Sequence, residues 1–170
     1  MKTLVKKILV AVNGSQSSVR AAMYGILMAK QYSCLMKVVF VVDTETIKFL
    51  VSSNFFIPEE RDSYTESLRA DGKTYLDYVH KLANSKGIQI ETELREGSVW
   101  AEVIKASEEY SADMILLGGH ENKNDVLRSI DNSYIRKSVV ASARSEIVNY
   151  APCPVLVVNK QDIEALFKIS

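Results

Sequence analysis

The segments DMILLGGH (113–120) and VLVV (155–158) decide the fold of this chain. Each holds a short apolar run bounded by turn or polar residues, which is typical of a strand buried on both faces of a sheet. Between them lie a polar segment and a stretch whose spacing predicts a helix, with apolar residues at Val140, Ala143, Ile147 and Tyr150. Ligands of parallel sheets bind beyond the carboxyl ends of the strands, so the Gly118-Gly119 turn is the first place to look for a site.

The rest of the chain repeats this alternation of strands and helices. Apolar runs at 8–12 (ILVAV) and 38–42 (VVFVV) predict two more buried strands. IQIETEL (88–94) alternates apolar and polar residues, which predicts a half-exposed strand at one edge of the sheet. Amphipathic stretches predict the helices, including a long one from Pro58 to a C-cap at Gly87. The sequence thus predicts an α/β domain with an open, five-stranded, mainly parallel sheet and helices on both faces.

The length of 170 residues suits one domain, and no repeat, linker or low-complexity segment divides the chain. We assign residues 1–160 to this domain and residues 161–170 to a C-terminal tail. In the tail, Asp162 is placed to cap a short helix that carries Ile163, Leu166 and Phe167.

Composition excludes several classes of protein. The chain has 21 basic and 21 acidic residues, and this balance argues against binding to nucleic acid or to a membrane surface by bulk electrostatics. Its two cysteines, Cys34 and Cys153, suit a reducing compartment and form no metal-binding pattern. The apolar run near the start is too short for a signal-peptide core, and no run approaches the roughly 20 residues that span a bilayer. We therefore expect a cytoplasmic protein.

Residues 44–61 are unusually apolar for a connection after a strand, with three phenylalanines among them. One interpretation is a short helix or flap packed on the domain. The other is a lid over a ligand, or a patch that binds a partner.

The two predicted edges of the sheet differ in character. The last strand is apolar on both faces, and an apolar edge with unpaired amides needs a cover. A second copy of the same strand, antiparallel across a two-fold axis, would provide one, and the tail helix is the competing cover. We therefore expect a homodimer whose edge is formed by Val155, Leu156, Val157 and Val158.

Several motifs together resemble the universal stress protein family over nearly the whole chain. They are ILVAVNGS (8–15), VVFVVD (38–43), REGSVWAEVIKAS (95–107), DMILLGGH (113–120) and SEIVNYAPCPVLVV (145–158). The resemblance implies a Rossmann-like sheet with strand order 3-2-1-4-5. It also implies dimerisation through the last strand, in agreement with the edge argument.

One branch of this family binds ATP or AMP through a Gly-x-x-Gly pair, a connector and a Gly-Ser or Gly-Thr pair. The glycines let backbone amides approach the phosphates. Here the first glycine corresponds to Gly118, but the second falls on Glu121 and the third on Ala141, with Ser142 kept. The connector, residues 122–140, is longer than in the family.

These departures weaken the implied grip on phosphate. A carboxylate at Glu121 about 4 Å from a phosphate oxygen costs ~1 kcal/mol in water-like surroundings and ~4 kcal/mol at an effective dielectric near 20, unless Mg²⁺ bridges them. Asn13 also replaces the family's acidic residue before Gly-Ser. We therefore expect no cofactor, with ATP or AMP and Mg²⁺ as the alternative. The residues that would surround a bound nucleotide are Val12, Asn13, Val41, Gly118, Gly119 and Ser142.

No Ser-His-Asp set, carboxylate pair or metal-ligand spacing predicts catalysis. We interpret His120 as a loop residue, His80 as a boundary residue of the long helix, and Trp100 and Cys153 as packing residues. Basic side chains around the connector either form an anion-binding cluster or a solvated face; they are Arg128, Arg136, Lys137 and Arg144. The sequence favours a non-enzymatic stress-response module that acts through a protein partner it does not identify. The alternative is a nucleotide-binding regulator with slow or no ATP hydrolysis.

Overall fold

The sheet has the predicted order and is parallel throughout. A computed structural model describes residues 3–119 and 143–170 of the chain. Its strands are β1 (Lys7–Val12), β2 (Leu35–Asp43), β3 (Glu91–Gly97), β4 (Met114–Gly118) and β5 (Val155–Val158). They lie in the order β3-β2-β1-β4-β5, and each neighbouring pair is parallel. The prediction of a mainly parallel sheet is confirmed and sharpened.

Helices cover both faces of the sheet, as predicted. They are α1 (Gln16–Tyr32), α2 (Thr44–Ser52), α3 (Pro58–Ser85), α4 (Val99–Tyr110), α5 (143–150) and α6 (Ile163–Ile169). Side chains of α1, α3 and α6 form one hydrophobic core with the sheet, and those of α4 and α5 form a second core on the opposite face. No helix in the described part of the chain has the length and apolar composition needed to cross a membrane.

Local capping explains where the first helices begin and end. Ser15 is the N-cap of α1, and its hydroxyl accepts a hydrogen bond from the Ser18 amide at 3.2 Å. Helix α3 begins with Pro58 in its first turn and ends before Gly87, whose φ of 71° is the left-handed conformation expected of a C-cap glycine.

Two sequence predictions are corrected. The third strand begins at Glu91 and not at Ile88, because the Ile88 amide closes the end of α3 on the Ala83 carbonyl at 3.0 Å. Pairing with β2 then continues through Gly97. In α5, Ala143 and Ile147 are buried as expected, whereas Tyr150 is 64% exposed because it lies at the helix end. Val140, which the apolar spacing also predicts to lie in this helix, is outside the described residues.

Helix α2 and the first half of α3 form an arm that contributes little to the core. The Asp43 carboxylate caps α2 by accepting hydrogen bonds from the amide and hydroxyl of Thr46. Ile47 is the one buried residue of α2, and residues 58–71 of α3, all described, include none. Helix α3 meets the sheet at Gly72, where a Cβ atom would lie 2.6 Å from Leu94 and 2.7 Å from Phe40. We call residues 44–71 the α2–α3 arm.

The tail forms the predicted short helix, α6, which packs against α1. Its Ile163 and Phe167 are buried. Arg20 of α1 pairs with Glu164 at 3.0 Å, and the Lys30 ammonium donates a hydrogen bond to the Ser170 carbonyl. Asp162 stands at the predicted N-cap position. Its side chain makes no capping hydrogen bond, and its carboxylate pairs with Lys160 at 3.0 Å.

Candidate functional site

The carboxyl ends of β1 and β4 meet at the point where the strand order reverses. Helix α1, which follows β1, packs on one face of the sheet, and the described helices before and after β4, α4 and α5, pack on the other. In sheets of this kind a crevice opens at this position. Val12 and Asn13 stand at the end of β1, and Gly118 and Gly119 at the end of β4. The structure therefore brings together four of the six predicted site residues.

The remaining candidates are distributed differently. The Val41 side chain packs into the core on the α4 side of the sheet, whereas Val12, 4% exposed, packs into the core on the α1 side. Val41 follows Phe40, the residue that pairs with Val12, so it stands on β2 one residue beyond the end of β1. Ser142 lies outside the described residues, as do His120, Glu121, Ala141 and the whole connector 122–140 with its basic residues Arg128, Arg136 and Lys137.

Gly118 is required by packing. A Cβ atom at this position would lie 2.6 Å from the carbonyl carbon of Ser17 and 2.6 Å from the amide nitrogen of Ser18. Real Cβ atoms do not approach backbone so closely, so β4 passes the first turn of α1 at a distance that only glycine allows. This contact explains a glycine here without any phosphate.

Gly119 is also held by its neighbours. Its amide donates a hydrogen bond to the Val158 carbonyl at 2.9 Å, and its carbonyl accepts one from Arg144 at 3.1 Å. A Cβ atom here would collide with the side-chain oxygen of Asn159. The Gly119 amide is thus engaged across to the end of β5 and does not point freely into the crevice.

Asn13 uses its polar groups to build the turn into α1. Its side-chain oxygen accepts a hydrogen bond from the Ser15 amide at 3.0 Å, and its own amide donates to the Ser18 hydroxyl at 3.2 Å. The Ser18 amide is in turn held by the Ser15 hydroxyl. The amides of Ser15 and Ser18 at the start of α1 therefore already have partners within the chain.

Tyr75 is a neighbour of the site that the sequence interpretation missed. Gly14 has a φ of 80°, and a Cβ atom on it would lie 2.4 Å from the Tyr75 ring. The same ring stacks on Phe40, with centroids 6.3 Å apart and planes 6° from parallel. Helical spacing predicted that Tyr75 faces the core, but it carried no signal for the turn that the ring covers.

Arg95, Cys34 and Cys153 have raised pKa values, but none of them stands at the carboxyl ends of β1 and β4. Arg95 on β3 is held by Glu109, Glu102 and Glu93, and the hydrogen bond with Glu109 is the main cause of its raised pKa. Burial raises the thiol pKa of both cysteines, which keeps them protonated and unreactive at neutral pH. Within 3–119 and 143–170 no three His, Cys, Asp or Glu residues are grouped to hold a metal.

Comparison with known proteins now identifies the fold. The model of the universal stress protein family matches residues 5–159. The chain belongs to the universal stress protein family. A curated relative, universal stress protein MJ0531 of Methanocaldococcus jannaschii, is 28% identical over 159 residues, which cover 94% of this chain and 85% of the relative.

Solved structures of universal stress proteins share the fold. One from Burkholderia pseudomallei has a TM-score of 0.70 and 21% identity, and the match covers 94% of this chain and 100% of that one. Another, from Arabidopsis thaliana with AMP bound, has a TM-score of 0.60 and 16% identity, covering 94% and 98%. At these identities the likeness shows a common architecture.

We predict that Gly118→Ala lowers the free energy of unfolding by about 1–3 kcal/mol, because the new methyl group meets backbone that cannot rotate away. Urea denaturation measures the change. Gly87→Asn is the matched control. Nothing lies within 4 Å of a Cβ atom at Gly87, and Asn tolerates its positive φ. Its effect should stay within about 0.5 kcal/mol. Equal stability of Gly118→Ala and the wild type would contradict the packing argument.

Proposed function

We propose that this chain is a cytoplasmic, non-enzymatic regulatory module of the stress response that acts by binding a protein partner and does not hold ATP in the family manner. The observation that carries the proposal is the apolar tip of the α2–α3 arm. Phe49, Phe55 and Ile57 are 61%, 63% and 57% exposed there.

The arm tip has the properties of a contact surface. Burying one such side chain fully contributes about 1.5–3 kcal/mol, so leaving three of them in water forgoes substantial stabilisation. The tip is also ordered by its own hydrogen bonds, since the amides of Phe55 and Phe56 both reach the Leu50 carbonyl. Phe56 packs on Tyr64 with ring centroids 5.2 Å apart. A fixed apolar surface rimmed by polar residues is typical of protein–protein contact sites.

The crevice supports the second half of the proposal. The amides of Ser15, Ser18 and Gly119 have partners within the chain, which leaves fewer donors for phosphate oxygens. The sequence also places an acidic residue, Glu121, and a long connector here, and both features disfavour the binding of phosphate.

An AMP- or ATP-binding regulator, with Mg²⁺ as the bridging ion, is the second candidate function. It is favoured by the convergence of Val12, Asn13 and Gly118 at the reversal of strand order, and by the family structure that holds AMP. In this second candidate function, bound ATP is hydrolysed slowly or not at all.

We also propose that two copies pair through β5. Among the described strands, β5 is bonded to β4 on one side and to none on the other. Val155, Leu156 and Val157 remain half-buried at this edge. A second β5, antiparallel across a two-fold axis, would satisfy its free amides and cover its side chains.

For the nucleotide part, we expect protein purified without additives to release no adenine nucleotide on denaturation, because the crevice offers too few free donors. Absorbance at the adenine band and mass spectrometry of the supernatant measure this. Stoichiometric ATP or AMP would sink the main proposal and promote the second candidate.

For the partner part, a photo-crosslinking amino acid replaces Phe55 in the producing cell. We expect covalent adducts with another polypeptide, since the tip is where apolar contact is available. The control places the same amino acid at Asp71, an exposed position on the arm away from the tip. The proposal fails if position 55 yields no adduct, or no more than position 71.

The dimer is tested by Val157→Asp, which places two carboxylates at a shared apolar strand edge. We expect the variant to shift toward the monomer in light scattering, while circular dichroism stays unchanged. Val157→Thr, which keeps the β-branched shape without the charge, is the control. A dimer of undiminished stability in the Asp variant would contradict the β5 interface.

A further inference from the structure

A second apolar surface lies on the outer side of the molecule, between α1, α3 and α6. It is an open groove with a volume of about 390 Å³. Its apolar lining comes from Met23, Tyr78, Leu82 and Phe167. Pockets of roughly 300–1,000 Å³ hold drug-sized ligands, so this groove has room for one or two large apolar side chains. These residues belong neither to the crevice at the ends of β1 and β4 nor to the β5 edge.

The rim of the groove is positively charged. The Lys86 ammonium lies 4.7 Å from the centroid of the Phe167 ring, and Lys168, the residue after Phe167 in α6, also borders the groove. In the described part of the chain neither lysine has an ion-pair partner within 4.0 Å. Glu164 also borders the groove, but its carboxylate is engaged by Arg20 and Gln16. The groove therefore favours an apolar segment that carries negative charge.

The arm tip carries that chemistry. Glu59 and Glu60 stand in the first turn of α3, directly after the exposed Phe55 and Ile57. All three basic residues of the arm are already paired with carboxylates: Lys48 with Glu45, Arg61 with Asp62, and Arg69 with Glu66 and Glu96. No described residue pairs with Glu59 or Glu60. The tip is thus apolar and acidic, where the groove is apolar and basic.

Helix geometry prevents the tip from reaching its own groove. Both lie on α3, the tip at Pro58 and the groove from Tyr78 onward, and α3 is one continuous helix. At 1.5 Å per residue these positions are about 30 Å apart along the axis. A contact between the two surfaces must therefore join two molecules.

We propose that the arm tip of one copy docks into the α1/α3/α6 groove of a second copy, so that copies associate head to tail. This inference rests on the proposed function, in which the arm tip is a protein contact surface. Because the two surfaces differ, the contact is heterologous and either closes into a ring or continues as a chain. It is separate from pairing through β5, which would use the same surface twice.

Charge reversal tests the contact. Lys86→Glu with Lys168→Glu alters the groove, and Glu59→Lys with Glu60→Lys alters the tip. We expect each double variant to weaken head-to-tail association by roughly tenfold or more, and the combined fourfold variant to regain it. Sedimentation velocity over a concentration series measures the association, and circular dichroism checks the fold. Lys73→Glu with Lys81→Glu, exposed on α3 outside the groove, is the control.

Mixing separates a heterologous contact from other modes of association. The groove variant retains an intact tip, and the tip variant retains an intact groove. An equimolar mixture should therefore form a complex that neither variant forms alone. The inference is overturned if the wild type does not grow beyond the β5 dimer with concentration, if the double variants associate like the wild type, or if the fourfold variant or the mixture fails to associate.

The photo-crosslink at position 55 distinguishes the two proposals. An adduct to groove residues of another copy supports the inference. An adduct exclusively to a different protein overturns the inference and leaves the proposed function standing. The absence of any adduct at position 55 overturns both.

Discussion

The close approach between Gly118 and the first turn of α1 determines how the crevice is built. Because a Cβ atom would lie 2.6 Å from the Ser17 and Ser18 backbone, β4 can follow this path only with glycine at its end. The path places Gly119 beside β5, where its amide bonds to the Val158 carbonyl. Gly118, which corresponds to the first glycine of the family's phosphate loop, and its neighbour Gly119 are therefore explained by packing, and their presence is not evidence for a ligand.

The fold was predictable because its strands are short apolar runs separated by helical stripes, and burial on both faces leaves few other arrangements. The error at β3 has a physical source. Ile88 and Ile90 alternate with polar residues and pack against the core, yet they precede the hydrogen-bonded ladder. Alternation reports which side chains are buried and does not report which amides are paired. Tyr150 was misplaced for a similar reason, since helical spacing does not show where a helix leaves the core.

The candidate site was only half predictable. Sequence motifs placed Val12, Asn13, Gly118 and Gly119 at strand ends, which converge in the parallel sheet, and their role as ligand neighbours stays a prediction. The hydrogen-bond partners and neighbours of these residues depend on tertiary contacts, which the spacing of residues in the sequence does not predict. Asn13 bonding to the Ser15 amide and Tyr75 lying over Gly14 are examples. The sequence showed that residues 44–61 are unusually apolar. It did not show that they form one arm together with the first half of α3. The sequence signal for this is the scarcity of apolar residues between Pro58 and Ser67, which indicates that this half of α3 does not pack in the core.

The arm must be stabilised by local means, because it has few buried contacts to hold it. Asp43 caps α2, Pro58 sets the backbone of the first turn of α3, and Glu59 and Glu60 lie where the helix dipole favours negative charge. Each of these interactions at a helix end stabilises the helix by about 0.3–1 kcal/mol. They favour the helical conformation of the arm but do not bury its apolar tip. The same carboxylates therefore serve two roles. They help α3 begin far from the sheet, and they set the charge that any partner of the tip must complement.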